Sequence, residues 1–462
     1  MKDDYMPRNM DGQEHWEKAA WMQLRSTLNV MPIVSKAKNA ILFLGDGMSL
    51  TTVTAARIYS GQMKGKDGEE SSIIFDKFPY VGLSKTYSVN KQVSDSASTA
   101  TAYLGGVKTN TGLLGLTAAV KRGDCLASLN QSTHVHSMLK WAQDAGMSTG
   151  IVTTTRVTHA SPAGGYAHIA ERNWENDNDV AKAGKDPKVC QDIAMQLITG
   201  ETGRNLNVIL GGGRRNFLPR TSTDEEFERG KRRDGKNLIK QWLVDKSNRR
   251  MKNKYVWDKK GLIFADNFST GLFESSHMRY HMEMNEKTDP TLAEMTEVAI
   301  DILKKNPNGY ILFVEGGRID HGHHDTKAHL ALDETVQMAE AVAVVSAATS
   351  ETDTLMLVTA DHSHTMTISG YSPRGNSIFD AAGISNVDGM LYTTLSYANG
   401  PGYKNPKLPR KLDIRRDDFE QSDEWMDDVA SFVSSRGKAS SKRKSKCQRH
   451  DISEDNLGML ES

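Results

Sequence analysis

Four short apolar segments recur along this chain, and each is closely followed by polar residues. The apolar segments are residues 40–44, 150–157, 310–314 and 354–360. The helix-periodic segments that precede them are residues 16–34, 134–145, 291–305 and 326–348. Short apolar runs of this kind are typical of strands buried on both faces. Their alternation with helices predicts an α/β fold with a central, mostly parallel sheet flanked by helices.

The polar residues after these segments are the first candidates for a functional site. In open α/β sheets, ligands bind beyond the carboxyl ends of the strands. Asp46, Ser161, Glu315 and Asp361 each follow a different predicted strand. We therefore expect these four side chains to converge, although more than 300 residues separate the first from the last.

Two segments carry the residue types that bind metals. Residues 315–325 read EGGRIDHGHHD, in which Asp320 and His324 have the i, i+4 spacing that shares one helix face. Residues 360–365 read ADHSHT and contain Asp361, His362 and His364. Mixed Asp and His ligands suit zinc, whereas oxygen-only ligands suit magnesium. The alternative is that these histidines are solvated or structural, but two such clusters at strand ends favour metal binding.

Ser96 and Arg172 are candidates of a second kind. Ser96 lies in VSDSASTATA, where an acidic residue precedes a hydroxyl at the start of a short helical segment. Such a position presents a hydroxyl where a helix N-terminus favours a bound anion, although plain helix caps look the same. Arg172 follows Ser161 by 11 residues, and an arginine can hold two phosphate oxygens at once or form a surface salt bridge.

Charge and cysteine content exclude several functional classes. The 58 basic and 58 acidic side chains cancel, so we expect no nucleic-acid binding and no attraction to an anionic membrane. No apolar run approaches the length of a membrane span. The three cysteines are too few for a disulfide scaffold, but Cys125 and Cys190 could bridge in an oxidising compartment, leaving Cys447 over.

Five ordered motifs in this sequence resemble those of the alkaline phosphatases, most closely the animal, tissue-type members. The motifs are LFLGDGM, VSDSASTATAYL, TTTRVTHASPAGGYAH, FVEGGRIDHGHH and VTADHSH, and the resemblance extends from about residue 16 to about residue 403. It implies phosphomonoester hydrolysis through a phosphoserine intermediate, with two zinc ions, one magnesium ion and a structural calcium ion. It also implies a homodimer of an extracellular glycoprotein that is attached to the cell surface by a glycosylphosphatidylinositol (GPI) anchor.

The resemblance assigns roles to individual residues. It implies that Ser96 is the nucleophile and Arg172 the phosphate clamp, with His159 close to the magnesium ion and His364 a partner of the zinc-binding carboxylates. The implied ligands are Asp46, Ser96, Asp361 and His362 for one zinc ion, Asp320 and His324 for the other, Asp46, Ser161 and Glu315 for magnesium, and Glu226, Phe273 (through its carbonyl), Glu274 and Asp289 for calcium. The implied disulfide joins Cys125 to Cys190, and the implied glycosylation sites are Asn130 and Asn267.

The sequence departs from the family pattern at its ends and at one turn. Beyond Tyr403 the family motif that supplies a third ligand to the Asp320 zinc ion has no match, and His450 is the only histidine there. We find neither a signal peptide nor an anchor signal, and Ser49 replaces the usual glycine after Asp46. We expect a helical arm at residues 1–37, a catalytic domain at 38–410 with a crown insertion at about 370–403, and a disordered charged tail at 411–462.

Two alternatives to a fully active phosphatase follow. One is a truncated relative that binds metal or phosphate and is weakly active or inactive, because one zinc ion would lack its third ligand; in that case added zinc would restore activity only in part. The other is a related phosphodiesterase or sulfatase. Those enzymes use a threonine or a modified cysteine as nucleophile, so Ser96 argues against this second alternative.

Overall fold

The computed structural model describes residues 12–265 and 268–403, and a seven-stranded parallel sheet forms its centre. The sheet strands, in chain order, are β1 (Asn39–Gly45), β2 (Ser148–Arg156), β3 (Val208–Gly212), β4 (Asn253–Val256), β5 (Phe268–Leu272), β6 (Tyr310–Gly316) and β7 (Thr354–Ala360). Their spatial order is β4-β5-β3-β2-β6-β1-β7, and every pairing is parallel. The predicted fold class is therefore confirmed.

Helices cover both faces of this sheet. They are α1 (Gln13–Leu28), α2 (Leu50–Gln62), α3 (Ser96–Gly105), α4 (Cys125–Ser128), α5 (Met138–Asp144), α6 (Ala160–Ala163), α7 (Asp177–Lys182), α8 (Ile193–Thr199), α9 (Leu238–Asn248), α10 (Lys259–Ile263), α11 (Leu292–Leu303), α12 (Arg318–His324) and α13 (Ala328–Ala348). Leu42 and Leu44 of β1 belong to one core cluster, whereas Ile41 and Phe43 belong to the other. This alternation follows from the two-residue period of a strand and explains why the whole run is apolar.

Four further strands lie outside the main sheet, in the region where the sequence predicts a crown. They are β8 (Met366–Ile368), β9 (Ala381–Ile384), β10 (Leu391–Thr393) and β11 (Leu395–Tyr397). β8 pairs with β11 and β9 with β10, both antiparallel. Arg374 connects this region to the body of the protein through Asp67 and Glu70.

The ends of the chain differ in what the structure describes. No residue of α1 is buried, and its apolar side chains Trp16, Trp21 and Leu28 are exposed. The expected tail at residues 411–462 lies outside the described residues. Across residues 12–265 and 268–403, none of the helices combines the length and the apolar character that a membrane crossing needs.

Candidate active site

The register of the central strands brings the predicted carboxylates together. Gly45 at the end of β1 pairs with Gly316 of β6 on one side and with Ala360 of β7 on the other. Asp46 and Asp361, the residues that follow Gly45 and Ala360, therefore leave neighbouring strands at the same level of the sheet. A parallel sheet thus converts positions far apart in sequence into one polar cleft.

Asp46, Asp361 and His362 form a buried cluster beside this edge. His362 Nε2 lies 3.6 Å from Asp46 Oδ1 and 3.3 Å from Asp361 Oδ2, and the ligand atoms of the three residues lie within 4.8 Å of one another. The backbone N–H of Gly47 donates to Asp361 Oδ1 at 3.0 Å. Burial, followed by the negative charge of Asp361, raises the pKa of Asp46 well above its usual value.

Ser96 is the first residue of α3 and faces this cluster. Asp95 is the N-cap residue, and its carboxylate accepts from the backbone N–H of Ser98 at 3.1 Å. Ser96 is only 4 % exposed, and its Oγ lies 3.4 Å from His362 Nε2. Because α3 has ten residues, its N-terminal dipole favours negative charge on or near this hydroxyl.

Glu315 forms a second group with Asp46 and His159, whose ligand atoms also lie within 4.8 Å of one another. Burial raises the pKa of Glu315 to about 7, although the hydroxyls of Thr153 and Thr155 donate hydrogen bonds to its Oε2. Ser161 lies on the short helix α6 and is fully buried.

Asp320, His324 and His364 form a third group of the same compactness. Asp320 and His324 lie one turn apart on α12, and His364 follows β7 by four residues. His324 Nε2 lies 3.3 Å from Asp320 Oδ2, and His364 Nε2 lies 2.5 Å from Asp320 Oδ1. Burial by itself would raise the pKa of Asp320, but the two imidazoles lower it well below its usual value.

The donor atoms in these three groups fit bound divalent cations. Within the described parts of the chain, both carboxylate oxygens of Asp46 and Oε1 of Glu315 are buried without a hydrogen-bond partner. Buried acidic oxygens are normally hydrogen-bonded or bound to metal, because leaving them bare is costly. Two groups combine carboxylates with one or two imidazoles, which suits zinc, and Asp46 is shared between the first two groups.

Arg172 lies at the mouth of the cleft. Its Nη1 lies 3.2 Å from Asp95 Oδ2, and its Nη2 lies 3.4 Å from His159 Nε2. Asp95 also accepts from the backbone N–H of Gly112. Burial opposes ionisation of Asp95, but Arg172 and the local hydrogen bonds lower its pKa overall. The carboxylate that caps α3 therefore also holds the guanidinium beside Ser96.

Two histidines that the sequence analysis did not assign lie beside His159. The ring centroid of His159 is 5.3 Å from that of His277 and 5.6 Å from that of His321, and the latter two are 4.3 Å apart. Burial lowers the pKa of all three, that of His321 to about 3. His321 belongs to the DHGHH motif, but no sequence pattern distinguishes His277, which follows β5 by five residues.

The residues assigned to calcium are connected by arginines. Arg214 Nη2 donates to Glu226 Oε2 at 2.5 Å and to the carbonyl of Phe273 at 3.1 Å. Arg279 lies 3.1 Å from Glu274 and 3.6 Å from Asp289. Burial, then the charge of Glu226, raises the pKa of Glu274 to about 7. Among described residues, the three compact ligand groups do not include these side chains, so the calcium site stays a prediction.

Covalent features of the predicted surface differ in what can be described. A disulfide joins Cys125 at the start of α4 to Cys190. Asn130 is exposed and accepts from the backbone N–H of Ser132, whereas Asn267 lies outside the described residues. Ser49, the departure after Asp46, is the N-cap of α2 and accepts from the backbone N–H of Thr52 at 3.1 Å. Serine at this position therefore serves as a normal helix cap.

Comparison with known proteins gives one consistent family. The family profile described as alkaline phosphatase matches residues 37–442. The membrane-bound alkaline phosphatase of Bombyx mori is 52 % identical over 385 residues, which cover 82 % of this chain and 70 % of that protein. The tissue-nonspecific isozyme of alkaline phosphatase of Felis catus is 48 % identical over 410 residues, covering 86 % and 77 %.

The fold is similar to that of solved structures of the same kind. The crystal structure of Thermus thermophilus alkaline phosphatase matches with a TM-score of 0.59 and 25 % sequence identity. The match covers 80 % of this chain and 67 % of that one. The resemblance stated from the motifs is thus confirmed by sequence and by structure.

Proposed function

The chain belongs to the alkaline phosphatase family of metal-dependent phosphomonoester hydrolases, and we propose that it transfers the phosphoryl group to Ser96 before hydrolysis. The observation that carries this proposal is the position of Ser96 Oγ, 3.4 Å from His362 Nε2 at the N-terminus of α3. No hydroxyl in the motif-bearing loops has a comparable combination of burial, helix dipole and adjacent ligand group. The substrate class is small phosphomonoesters.

The cofactors in this proposal are two zinc ions and one magnesium ion. Asp46, Asp361 and His362 would hold one zinc ion beside Ser96, and Asp320 and His324 would hold the other. Asp46, Ser161 and Glu315 would hold magnesium, and His159 contributes a nitrogen to the same group. Bound at these residues, the cations would neutralise the phosphate dianion and lower the pKa of the attacking oxygen.

The side chains of the protein supply orientation and charge for the transfer. Arg172 presents two N–H groups, which can bind two phosphate oxygens in parallel. Ser96 Oγ attacks phosphorus, so that an Oγ–P bond forms while the bond between phosphorus and the ester oxygen breaks. The departing alcohol leaves with a proton from water. A second water then cleaves the Oγ–P bond, which releases inorganic phosphate and restores Ser96.

The weakly active relative remains the second candidate. It is favoured by one sequence observation, namely that the family motif for the third ligand of the Asp320 cation has no match beyond Tyr403. In that case the cleft would bind phosphate and metal with little turnover. Hydrolysis of p-nitrophenyl phosphate across a zinc titration distinguishes the two, because the weakly active form gains only part of family-level activity in excess zinc.

The remaining family properties are proposed on separate observations. Exposed Trp16, Trp21 and Leu28 on α1 fit a homodimer in which this helix packs on a second copy. The Cys125–Cys190 disulfide and exposed Asn130 fit an oxidising, extracellular compartment and a glycosylated surface. The buried carboxylate Glu274, close to Glu226 and Asp289 in charge, fits the calcium proposal.

Substitution of the nucleophile tests the proposal. We expect Ser96→Ala to lower kcat for p-nitrophenyl phosphate by at least about 1,000-fold at saturating zinc and magnesium. The control is Ser247→Ala, which removes an exposed hydroxyl from α9 and should leave kcat unchanged. Near-normal turnover in Ser96→Ala would show that another group attacks phosphorus.

A further inference from the structure

We propose that His364 is a direct ligand of the cation held by Asp320 and His324, so that this site has three protein ligands. The sequence motifs assign His364 only a supporting role beside the zinc-binding carboxylates. The inference rests on the proposed function for the identity of the metal, but its evidence is the arrangement of the three side chains. It concerns metal affinity, which is measured separately from turnover.

The ligand atoms of the three residues converge within 4.8 Å of one another. The two imidazoles approach different oxygens of the same carboxylate: His364 Nε2 lies 2.5 Å from Asp320 Oδ1, and His324 Nε2 lies 3.3 Å from Oδ2. Both imidazoles therefore present the same ring nitrogen to the space beside Asp320. A single cation there reaches one carboxylate oxygen and two Nε2 atoms with small side-chain rotations.

The surrounding residues hold His364 against Asp320. Its ring centroid lies 4.8 Å from that of His324 and 5.0 Å from that of His323. On the opposite side lies Gly47, where an added Cβ would be 2.5 Å from His364 Cδ2 and 2.9 Å from Asp320 Oδ1. Gly47 also has a positive φ of 65°. Glycine at this turn thus leaves room for the imidazole to reach the carboxylate.

The neighbouring His323 does not compete for this role. Its Nε2 lies 2.9 Å from Thr52 Oγ1 and its Nδ1 lies 2.8 Å from the hydroxyl of Tyr397. Both ring nitrogens are therefore engaged in hydrogen bonds that fix α12 against α2 and β11. His364, whose Nε2 contacts only the shared carboxylate among the printed hydrogen bonds, is the imidazole that remains for the cation.

The chemistry of zinc favours the three-ligand arrangement. Catalytic zinc sites use three protein ligands and leave one position open for water or substrate. Asp320 and His324 alone would leave two positions open, whereas one carboxylate oxygen with two imidazole nitrogens gives the usual number. Loss of a residue that only orients a ligand typically weakens metal binding about 10- to 100-fold, and loss of a ligand should cost more.

Two substitutions at one position separate a ligand from a hydrogen-bond donor. In His364→Gln the amide can still donate to Asp320 but binds zinc poorly, whereas His364→Ala removes both functions. His324→Gln is the matched reference, because His324 is a ligand in either account. Zinc bound per chain is measured by elemental analysis after dialysis against buffered free zinc, without substrate, and circular dichroism checks that each variant is folded.

We expect His364→Gln, His364→Ala and His324→Gln each to weaken one zinc site by more than about 100-fold and to leave the other site unchanged. A second measurement needs no variant: in the Co²⁺-loaded wild-type protein, proton NMR should show the shifted imidazole N–H signals of both His324 and His364. The inference is overturned if His364→Gln binds zinc as wild type does, or if the His364 signal is unshifted. The phosphoserine proposal would survive either result, because it depends on Ser96.

Discussion

Asp95 Oδ2 lies 3.2 Å from Arg172 Nη1, in an ion pair that connects the cap of α3 to the mouth of the active-site cleft. The carboxylate is almost fully buried, and it also accepts hydrogen bonds from Ser98 and Gly112. One residue therefore fixes both the start of the helix that carries Ser96 and the guanidinium that faces it. The position of the phosphate clamp depends on this shared carboxylate.

Asp95→Asn should weaken phosphate binding without unfolding α3. Asparagine is as good an N-cap as aspartate, so the helix keeps its cap, but the charge that holds Arg172 is lost. We expect the inhibition constant for inorganic phosphate to rise by about tenfold, or ~1.4 kcal/mol. The melting temperature is measured in parallel. An unchanged inhibition constant would mean that Asp95 does not orient the clamp.

Arg172→Lys should retain charge but lose the planar pair of donors. A lysine ammonium cannot bind two phosphate oxygens in parallel, so the transition state should lose more stabilisation than a simple charge count predicts. We expect kcat/KM for p-nitrophenyl phosphate to fall by about 100-fold. Arg57→Lys is the control, since Arg57 only pairs with Asp76 outside the cleft. Equal, small effects of the two substitutions would contradict the assignment.

Glu334 should make stability depend on pH. Burial raises its pKa to about 7, so between its unfolded pKa and pH 7 the folded protein binds the proton that the unfolded chain has lost. The folded state is therefore favoured by Glu334 protonation at low pH, and that advantage is lost as pH rises through 7. Glu334→Gln keeps an acceptor for the backbone N–H of His281 and stays neutral.

We accordingly expect the free energy of unfolding of Glu334→Gln, relative to wild type, to increase by roughly 2 to 3 kcal/mol between pH 4.5 and pH 8. Urea titrations of the metal-stripped proteins measure this difference. The exposed Glu351→Gln serves as the control. A difference that does not change with pH would show that Glu334 titrates normally.

The Cys125–Cys190 disulfide should stabilise the domain through the unfolded chain. The bond closes a sequence separation of 65 residues, and cross-links of that span restrict the denatured ensemble substantially. We expect the double variant Cys125→Ser/Cys190→Ser to lose about 3 to 4 kcal/mol of unfolding free energy. A Cys447→Ala background prevents thiol exchange. No loss of stability would mean that the bond does not form in the isolated protein.

The sequence predicted those parts of the fold that have a strong local pattern. β1, β2, β6 and β7 lie within two residues of their predicted bounds, because strands buried on both faces are apolar throughout. β4 (NKYV) and β5 (FSTGL) were missed because they are short and contain polar residues and glycine. Such strands exist because their neighbours pair with them, which a local pattern does not record.

The same distinction applies to the site. Convergence of Asp46, Glu315 and Asp361 follows from the parallel sheet, so the sequence could predict it. His277 comes close to His159 only through the path of the loop after β5, and no motif marks it. The choice between His323 and His364 as the imidazole beside Asp320 depends on side-chain contacts across three elements.

Identification of the phosphorylated residue tests the central claim most directly. The protein is mixed with a phosphomonoester, quenched in acid within the first turnovers, digested and analysed by mass spectrometry. We predict a phosphoryl group on Ser96, and none on Ser94 or Ser98 or in the Ser96→Ala variant. A phosphoryl group on another residue, or full turnover by Ser96→Ala with no phosphorylated peptide, would contradict the account.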